Sequence, residues 1–272
     1  MKKDIIINII QGMTVTAIFL ATEIVLNILG AFNGDIQFYL LEIPLRLIFG
    51  TIALMLLKYN FNTSKSQDRL KKLFTNAIPK CTYVLLLPFI MCLVLTLLPM
   101  IFGEAKEIST GFVGIYGLNC GQQFATGYFE EATRALLMCG LLKYYTDTKK
   151  KRVQTIVIAG ICFALSHALN FFFGQNIVAT FSQVFHAFMW GLFAASIYML
   201  SKNLTLLMVM HTVWDIVVKV PNTFFNFTDS NVFIDVAQMM RVILAYGIMP
   251  LVAVYICINY EKLIRNQLII ST

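Results

Sequence analysis

Residues 128–134 read Tyr-Phe-Glu-Glu-Ala-Thr-Arg and stand in the middle of an otherwise apolar run that extends over 122–142. A helix of this length crosses the hydrocarbon core of a bilayer, so its charged side chains lie at membrane depth. A charge at the centre of a membrane helix costs about 2.5 to 3.5 kcal/mol and usually marks a functional site. Glu130 and Arg134 share a helix face, so Arg134 can pair with Glu130, whereas Glu131 is turned about 100° away. An interhelical ion pair that only fixes packing is the simpler interpretation of these residues.

The composition is that of a membrane protein. Of 272 residues, 58% are hydrophobic and 13% are charged, whereas soluble domains carry about 25% charged residues. The net charge of +7 could indicate a nucleic-acid partner, but the basic residues cluster in short segments between apolar runs, as membrane topology requires. The sequence therefore argues against nucleic acid and predicts a polytopic protein whose partner is the lipid bilayer.

Eight apolar runs are long enough to cross the hydrocarbon core as helices. They are 5–29, 36–57, 83–102, 121–142, 153–173, 177–200, 204–220 and 232–260. The last run is unusually long and contains Gly247 and Pro250, which indicate a tilt, an interfacial start or a break. Because backbone groups in lipid must be satisfied within each span, the sequence predicts a single all-α membrane domain over 1–272 with about eight transmembrane helices.

Positive charges are distributed unevenly over the segments that connect these runs. If the N-terminus is cytoplasmic, fifteen Lys and Arg residues fall on the inner side and two, Lys106 and Lys219, fall on the outer side. This positive-inside bias predicts that both termini are cytoplasmic. The frequent Lys, Asn and Ile residues and the short loops are typical of bacterial proteins, so we expect a multi-pass protein of a bacterial plasma membrane.

Polar side chains that can activate water occur on three of the predicted spans. The fifth span carries His167, and the seventh carries His211 and Asp215, which lie four residues apart on one helix face. With Glu130 and Glu131, they supply groups that serve as general bases or metal ligands. A single membrane histidine more often has a packing role. Polar groups on three separate spans, with few others to compete, indicate a common site.

These residues resemble the motifs of a known family. In chain order they are Glu130, Glu131 and Arg134, then Phe163 and His167, then His211 and Asp215. They are similar to the motif set E-E-x-x-x-R, F-x-x-x-H and H-x-x-x-[N/D] of the CAAX protease and bacteriocin-processing family, also called the Abi family of intramembrane proteases. The resemblance covers about residues 120–218.

The resemblance implies an all-α fold of eight helices around an intramembrane catalytic cavity. By that resemblance, Glu130 is the catalytic glutamate that activates water, and Glu131 and Arg134 are its supporting carboxylate and charge partner. We expect an endopeptidase that cleaves a membrane-associated peptide or protein, such as a leader, a pheromone, a bacteriocin or a lipidated substrate.

The resemblance gives His167 and His211 the task of orienting water or stabilising the oxyanion, and it matches Asp215 to the family's final Asn or Asp. Two chemistries fit these residues. In the first, Glu130 takes a proton from water and the histidines stabilise the developing negative charge. In the second, His167, His211 and Asp215 hold a divalent metal such as zinc, and Glu130 is the base.

Other functions are compatible with the same sequence, and other polar residues lie outside this set. A non-enzymatic membrane immunity or regulatory protein could bind a partner through the same fold, since a fold alone does not fix function. A transporter ranks last, because the sequence has no inverted repeat and no matching pair of broken helices. We expect His186 to have a packing role, and we expect Glu42 and Arg46 to form an ion pair along one helix. Glu23 has no assigned role and could face the cavity.

Overall fold

The computed structural model of the protein is almost entirely helical. It describes residues 3–31, 35–62, 77–108, 110–144, 147–227 and 232–270. Within these ranges the α-helices are α1 (Lys3–Ile28), α2 (Asp35–Asn62), α3 (Lys80–Leu85), α4 (Leu87–Leu97), α5 (Thr110–Tyr144), α6 (Lys149–Ala168), α7 (Ile177–Ser201), α8 (Leu204–Val217), α9 (Val220–Phe224), α10 (Val232–Ile243) and α11 (Met249–Ile270). The remaining elements are the 3₁₀-helices Leu98–Phe102 and Leu169–Phe173, the π-helix Leu244–Ile248 and the paired strands β1 (Glu104–Ala105) and β2 (Phe225–Asn226).

The membrane spans follow the hydropathy pattern of the sequence. Seven stretches of the described residues are long and apolar enough to cross a membrane, and they correspond to seven of the eight predicted runs. The eighth run, 121–142, lies within α5, a helix of 35 residues. Its charged and amide side chains make it less apolar than the others. The structure therefore confirms the prediction of a polytopic, all-α protein.

The last predicted run is broken near Gly247 and Pro250, as the sequence indicates. There α10 passes into the π-helical segment Leu244–Ile248 before α11 begins. Proline has no N–H, so the carbonyl of Tyr246, four residues before Pro250, loses its usual helical partner. A wider turn at this position accommodates the missing hydrogen bond.

Helix α5 is the centre of the bundle, because it packs against α1, α2, α6 and α8. Its buried face includes Ala132, Leu136 and Met138, all at 0% exposure. Glu131 and Arg134 lie on the same helix and are equally buried. Glu131 and Arg134 therefore lie inside the protein, where other side chains can pair with them.

Glycines allow the helices to approach closely around the polar residues. At Gly127 of α5, an added Cβ would lie 2.6 Å from Oγ1 of Thr212 and 3.2 Å from the carbonyl oxygen of Met208, both on α8. At Gly191 of α7, an added Cβ would lie 2.9 Å from the Cα of Gly160 on α6. These two crossings bring α5 against α8 and α6 against α7.

Replacing Gly127 by Ala should destabilise the protein, because the new methyl group would collide with α8. Overpacking of this kind costs about 1–3 kcal/mol. The control is Gly117→Ala on the same helix, where an added Cβ meets nothing within 4 Å. That control should be neutral or stabilising by up to about 1 kcal/mol. The measurement is the thermal unfolding midpoint in detergent, and equal midpoints for both variants would contradict the close crossing.

Candidate active site

The six predicted site residues converge from three helices. They are Glu130, Glu131 and Arg134 on α5, His167 on α6, and His211 and Asp215 on α8. Each of them has a charged or imidazole group within 4.0 Å of another member of the set. Residues far apart in the sequence thus form one continuous cluster.

Side-chain caps fix where α6 and α8 begin. Oγ1 of Thr148 accepts a hydrogen bond of 3.3 Å from the backbone N–H of Lys151. Oδ1 of Asn203 accepts one of 2.9 Å from the backbone N–H of Leu206. Caps of this kind satisfy a free donor at the helix start. They set the register in which each helix presents its histidine to α5.

The ion pair within α5 joins Arg134 to Glu131. Nε of Arg134 lies 3.0 Å from Oε2 of Glu131, and the two side chains are 1% and 0% exposed. This corrects the pairing with Glu130 that the sequence suggested, because positions i and i+3 also share a helix face. Nη1 and Nη2 of Arg134 have no hydrogen-bond partner among the described residues. Arg134 therefore acts here mainly as a buried positive charge beside Glu131.

Phe163, the aromatic residue of the second motif, contacts Arg134 and both histidines of the site. The guanidinium carbon of Arg134 lies 3.8 Å from the centre of its ring, within the range of a cation–π contact. The same ring meets the rings of His167 and His211 edge to face, at centroid distances of 5.1 and 6.0 Å. Phe163 therefore separates the cation from the imidazoles and orients all three groups.

His211 is held from one side by Glu131. Its Nδ1 lies 2.7 Å from Oε1 of that carboxylate, and both side chains are buried. An ionised carboxylate can only accept a hydrogen bond, so Nδ1 carries a proton. The other ring nitrogen, Nε2, consequently faces Glu130 and Asp215, each with an oxygen 3.5 Å away. The predicted proximity of His211 and Asp215 is confirmed.

Glu130 faces the open space between the two histidines. Its Oε2 lies 3.5 Å from Nε2 of His211 and 4.0 Å from Nε2 of His167. These separations are too long for direct hydrogen bonds. Although Oε2 is buried, it has no hydrogen-bond partner among the described residues. Glu130 and Glu131 are adjacent in sequence but differ completely in their surroundings.

A cavity of about 360 Å³ opens in front of Glu130. Its lining includes Glu130, His167, His211 and Asp215, together with residues of α1 and α2 such as Glu23 and Arg46. These residues belong to helices that are long and apolar enough to cross a membrane or, for Glu130, to α5.

The ion pair predicted between Glu42 and Arg46 is present, and it has a third member. Arg46 contacts Glu42 of the same helix, and its Nη2 also lies 3.3 Å from Oε1 of Glu23 on α1. Its guanidinium carbon is 4.9 Å from the ring centre of Phe19. The structure thus accounts for Glu23, which the sequence left without a role. The signal available was a charged residue within each of the first two spans.

Gln183 is a polar residue near the site that the sequence analysis did not identify. It lies on α7, and its Nε2 is 3.4 Å from Nδ1 of His167. Its Oε1 accepts a hydrogen bond of 2.9 Å from Nδ2 of Asn170. An amide in the apolar run 177–200 was a detectable signal, but nothing in the spacing linked it to His167 on another helix.

His186 lies outside the cluster, on the side of α7 that faces the π-helix. Its Nδ1 is 3.0 Å from Oη of Tyr246, and its ring stacks on Trp214 at a centroid distance of 5.6 Å. These contacts agree with the packing role expected of this histidine.

The residues predicted to hold a metal all line the cavity. No group of three or more His, Cys, Asp or Glu side chains in the described part of the chain is placed to hold a metal ion. His211 donates Nδ1–H to Glu131, as metal-binding histidines commonly do to a carboxylate, and its Nε2 is left for another partner. A zinc site on His167, His211 and Asp215 stays a prediction.

The first motif departs from the family pattern by one residue. Two residues, Ala132 and Thr133, separate Glu131 from Arg134, where E-E-x-x-x-R has three. The shorter spacing places the arginine three positions after Glu131, which is the spacing of the observed ion pair.

Replacing Arg134 by Met should leave the carboxylate of Glu131 buried without its cation. Removing one partner of a buried ion pair costs about 3–5 kcal/mol. The control is Arg265→Met, because Arg265 is exposed on α11. The measurement is the free energy of unfolding from a denaturant titration in mixed micelles. If the two variants were equally stable, the Glu131–Arg134 pair would not support the fold.

Comparison with known proteins gives one match. Residues 120–217, which contain all six site residues, match the family model described as "Rce1-like: Type II CAAX prenyl endopeptidase Rce1-like". Comparison with curated proteins gave no match, and comparison with solved structures gave none either. The resemblance that the three motifs suggested is thus confirmed, and over residues 120–217 the chain is similar to the Rce1-like type II CAAX prenyl endopeptidases.

Proposed function

We propose that the protein is an intramembrane endopeptidase that hydrolyses a peptide bond of a membrane-associated peptide or protein. The observation that carries this proposal is the carboxylate of Glu130. It is buried in a cavity, its Oε2 has no hydrogen-bond partner among the described residues, and both imidazoles present Nε2 to it within 4.0 Å. A carboxylate in this position is suited to take a proton from a water molecule.

In the proposed reaction, water enters the space between Glu130 and the two Nε2 atoms. Glu130 removes one proton from the water, and the water oxygen forms a bond to the scissile carbonyl carbon. The carbonyl oxygen becomes an oxyanion that an imidazole N–H stabilises. The C–N bond then breaks, and Glu130 returns its proton to the leaving amine. No step consumes an external reagent other than water.

The supporting residues keep these groups in place. The hydrogen bond of 2.7 Å from Nδ1 of His211 to Glu131 fixes the orientation of that ring. Arg134 neutralises Glu131, which would otherwise repel Glu130. Asp215 contacts His211 from the cavity side at 3.5 Å, and we assign it the task of orienting this imidazole.

The location of the cavity limits the class of substrate. Since the cavity lies among membrane-spanning helices, its substrate must reach the bilayer. The matching family description names a prenyl endopeptidase, so we propose a lipidated peptide as the first substrate class, ahead of leader, pheromone and bacteriocin peptides. We further propose a bacterial plasma membrane and cytoplasmic termini, on the basis of the charge distribution.

Replacing Glu130 by Gln should abolish cleavage, because the amide cannot accept the proton of water. The expected loss in kcat is about 10²- to 10⁴-fold. The probe is a farnesylated peptide ending in a CAAX sequence, incubated with the protein in liposomes and compared with its unprenylated form. The control is Glu107→Gln, since Glu107 is exposed in the segment after β1. Full activity of Glu130→Gln would refute the proposed base.

The proposed mechanism, in which Glu130 activates water without a metal, predicts that cleavage survives thorough chelation of divalent metals. Activity is measured before and after dialysis against a chelator, together with the metal content of the purified protein. A stoichiometric metal that is lost in His167→Ala and His211→Ala would instead establish the metal-dependent alternative. If no peptide is cleaved and Glu130→Gln retains the biological function, the protein acts by binding, as an immunity or regulatory protein would.

A further inference from the structure

Gln183 lies behind His167, on the side of the imidazole that faces away from Glu130. Its amide nitrogen is 3.4 Å from Nδ1 of His167, while Nε2 of the same ring faces Glu130 at 4.0 Å. Gln183 comes from α7 and lines the cavity. It therefore contacts a proposed catalytic histidine through the ring nitrogen that does not face Glu130.

Asn170 fixes the direction of this hydrogen bond. Its Nδ2 donates to Oε1 of Gln183 at 2.9 Å, so the amide oxygen of Gln183 is already an acceptor. The amide nitrogen is then the group that points to His167, and an amide nitrogen can only donate. In this orientation of the amide, Nδ1 of His167 accepts and carries no proton. The proton of the neutral ring is on Nε2.

Other groups close to His167 do not compete for Nδ1. The hydroxyl of Ser166 donates to the carbonyl oxygen of Phe163 at 2.6 Å. The ring of Phe163 meets the imidazole edge to face and offers no polar atom. Glu130 approaches the opposite nitrogen. Gln183 is the polar partner that can decide which nitrogen of His167 is protonated.

His211 is held in the opposite way. Glu131 accepts a proton from its Nδ1 at 2.7 Å, so the neutral ring presents a bare Nε2 to Glu130. In their neutral forms the two histidines would therefore be opposite tautomers. In these forms His167 offers a hydrogen-bond donor to the reaction space, whereas His211 offers one only after taking up a second proton, which the carboxylates of Glu130 and Asp215 favour. Only the first can stabilise an oxyanion without taking up another proton.

We propose that Gln183 is a positioning residue that holds His167 in the Nε2–H tautomer, so that His167 supplies the hydrogen bond to the oxyanion. This role rests on the proposed peptidase function, but the protonation of His167 can be measured without any substrate. Asn170 assists by orienting the amide of Gln183. The two residues act through His167 and touch no reacting atom.

The first experiment is nitrogen NMR of the full-length protein labelled at histidine in detergent micelles. The chain has three histidines, and His186→Gln and His211→Gln variants assign the signals. We expect His167 to show a proton bonded to Nε2 and an unprotonated Nδ1. A proton on Nδ1, or protons on both nitrogens, would overturn the assignment.

Two substitutions of Gln183 distinguish an effect on the tautomer of His167 from an effect on side-chain packing. Gln183→Glu keeps the shape but presents an acceptor, which should move the proton of His167 to Nδ1. Loss of an oxyanion donor typically lowers kcat about 10²- to 10³-fold, and we expect a loss of that order with little change in KM. Gln183→Met keeps the length and removes the hydrogen bond, so kcat should fall by about 3- to 10-fold.

The matched control is Gln154→Glu, which adds the same charge at an exposed position of α6, outside the cavity lining. It should leave the tautomer of His167 and the kcat unchanged. Thermal unfolding midpoints confirm that each variant is folded. Unchanged tautomer and kcat in folded Gln183→Glu would overturn the positioning role. If Glu130→Gln also stays fully active, the proposed reaction fails, but the NMR result still decides the role of Gln183.

Discussion

The site depends on the buried charges of Arg134, Glu131 and His211. Taking a single ion out of water costs several kcal/mol, so none of these groups is stable at this depth alone. Arg134 lies 3.0 Å from one oxygen of Glu131, and His211 lies 2.7 Å from the other. This arrangement requires α5 and α8 to meet in one register. Gly127 permits the required approach, because any side chain there would meet Thr212.

The same network explains how two adjacent glutamates acquire different roles. On a helix, neighbouring side chains point about 100° apart, so Glu131 enters the ion pair while Glu130 reaches the cavity. Glu131 has an ion pair with Arg134 on one oxygen and a contact with His211 on the other, whereas Glu130 faces both histidines only at 3.5 and 4.0 Å. Carboxylates whose surroundings differ in this way can divide structural and proton-transfer tasks between them.

Part of the cavity lies outside the segment that matches the family. Helices α1 and α2 precede residue 120, yet they bring Glu23 and Arg46 into the cavity lining. The proposed catalytic groups and this part of the lining therefore come from different parts of the chain. A change in α1 or α2 can alter what enters the cavity while the groups on α5, α6 and α8 remain the same.

The sequence by itself determined the fold class, because long apolar runs must become helices in lipid. It also determined which groups converge, since Glu130, His167, His211 and Asp215 are too costly in a membrane to stand alone. Helical spacing allowed Arg134 to pair with either glutamate. In the structure Arg134 pairs with Glu131, the guanidinium of Arg134 lies over the ring of Phe163, and Glu131 also contacts His211. Contacts between different helices, such as Gln183 with His167 or Arg46 with Glu23, cannot be read from the spacing of residues along one helix. Only the tertiary structure decided them, because they depend on how separate helices cross.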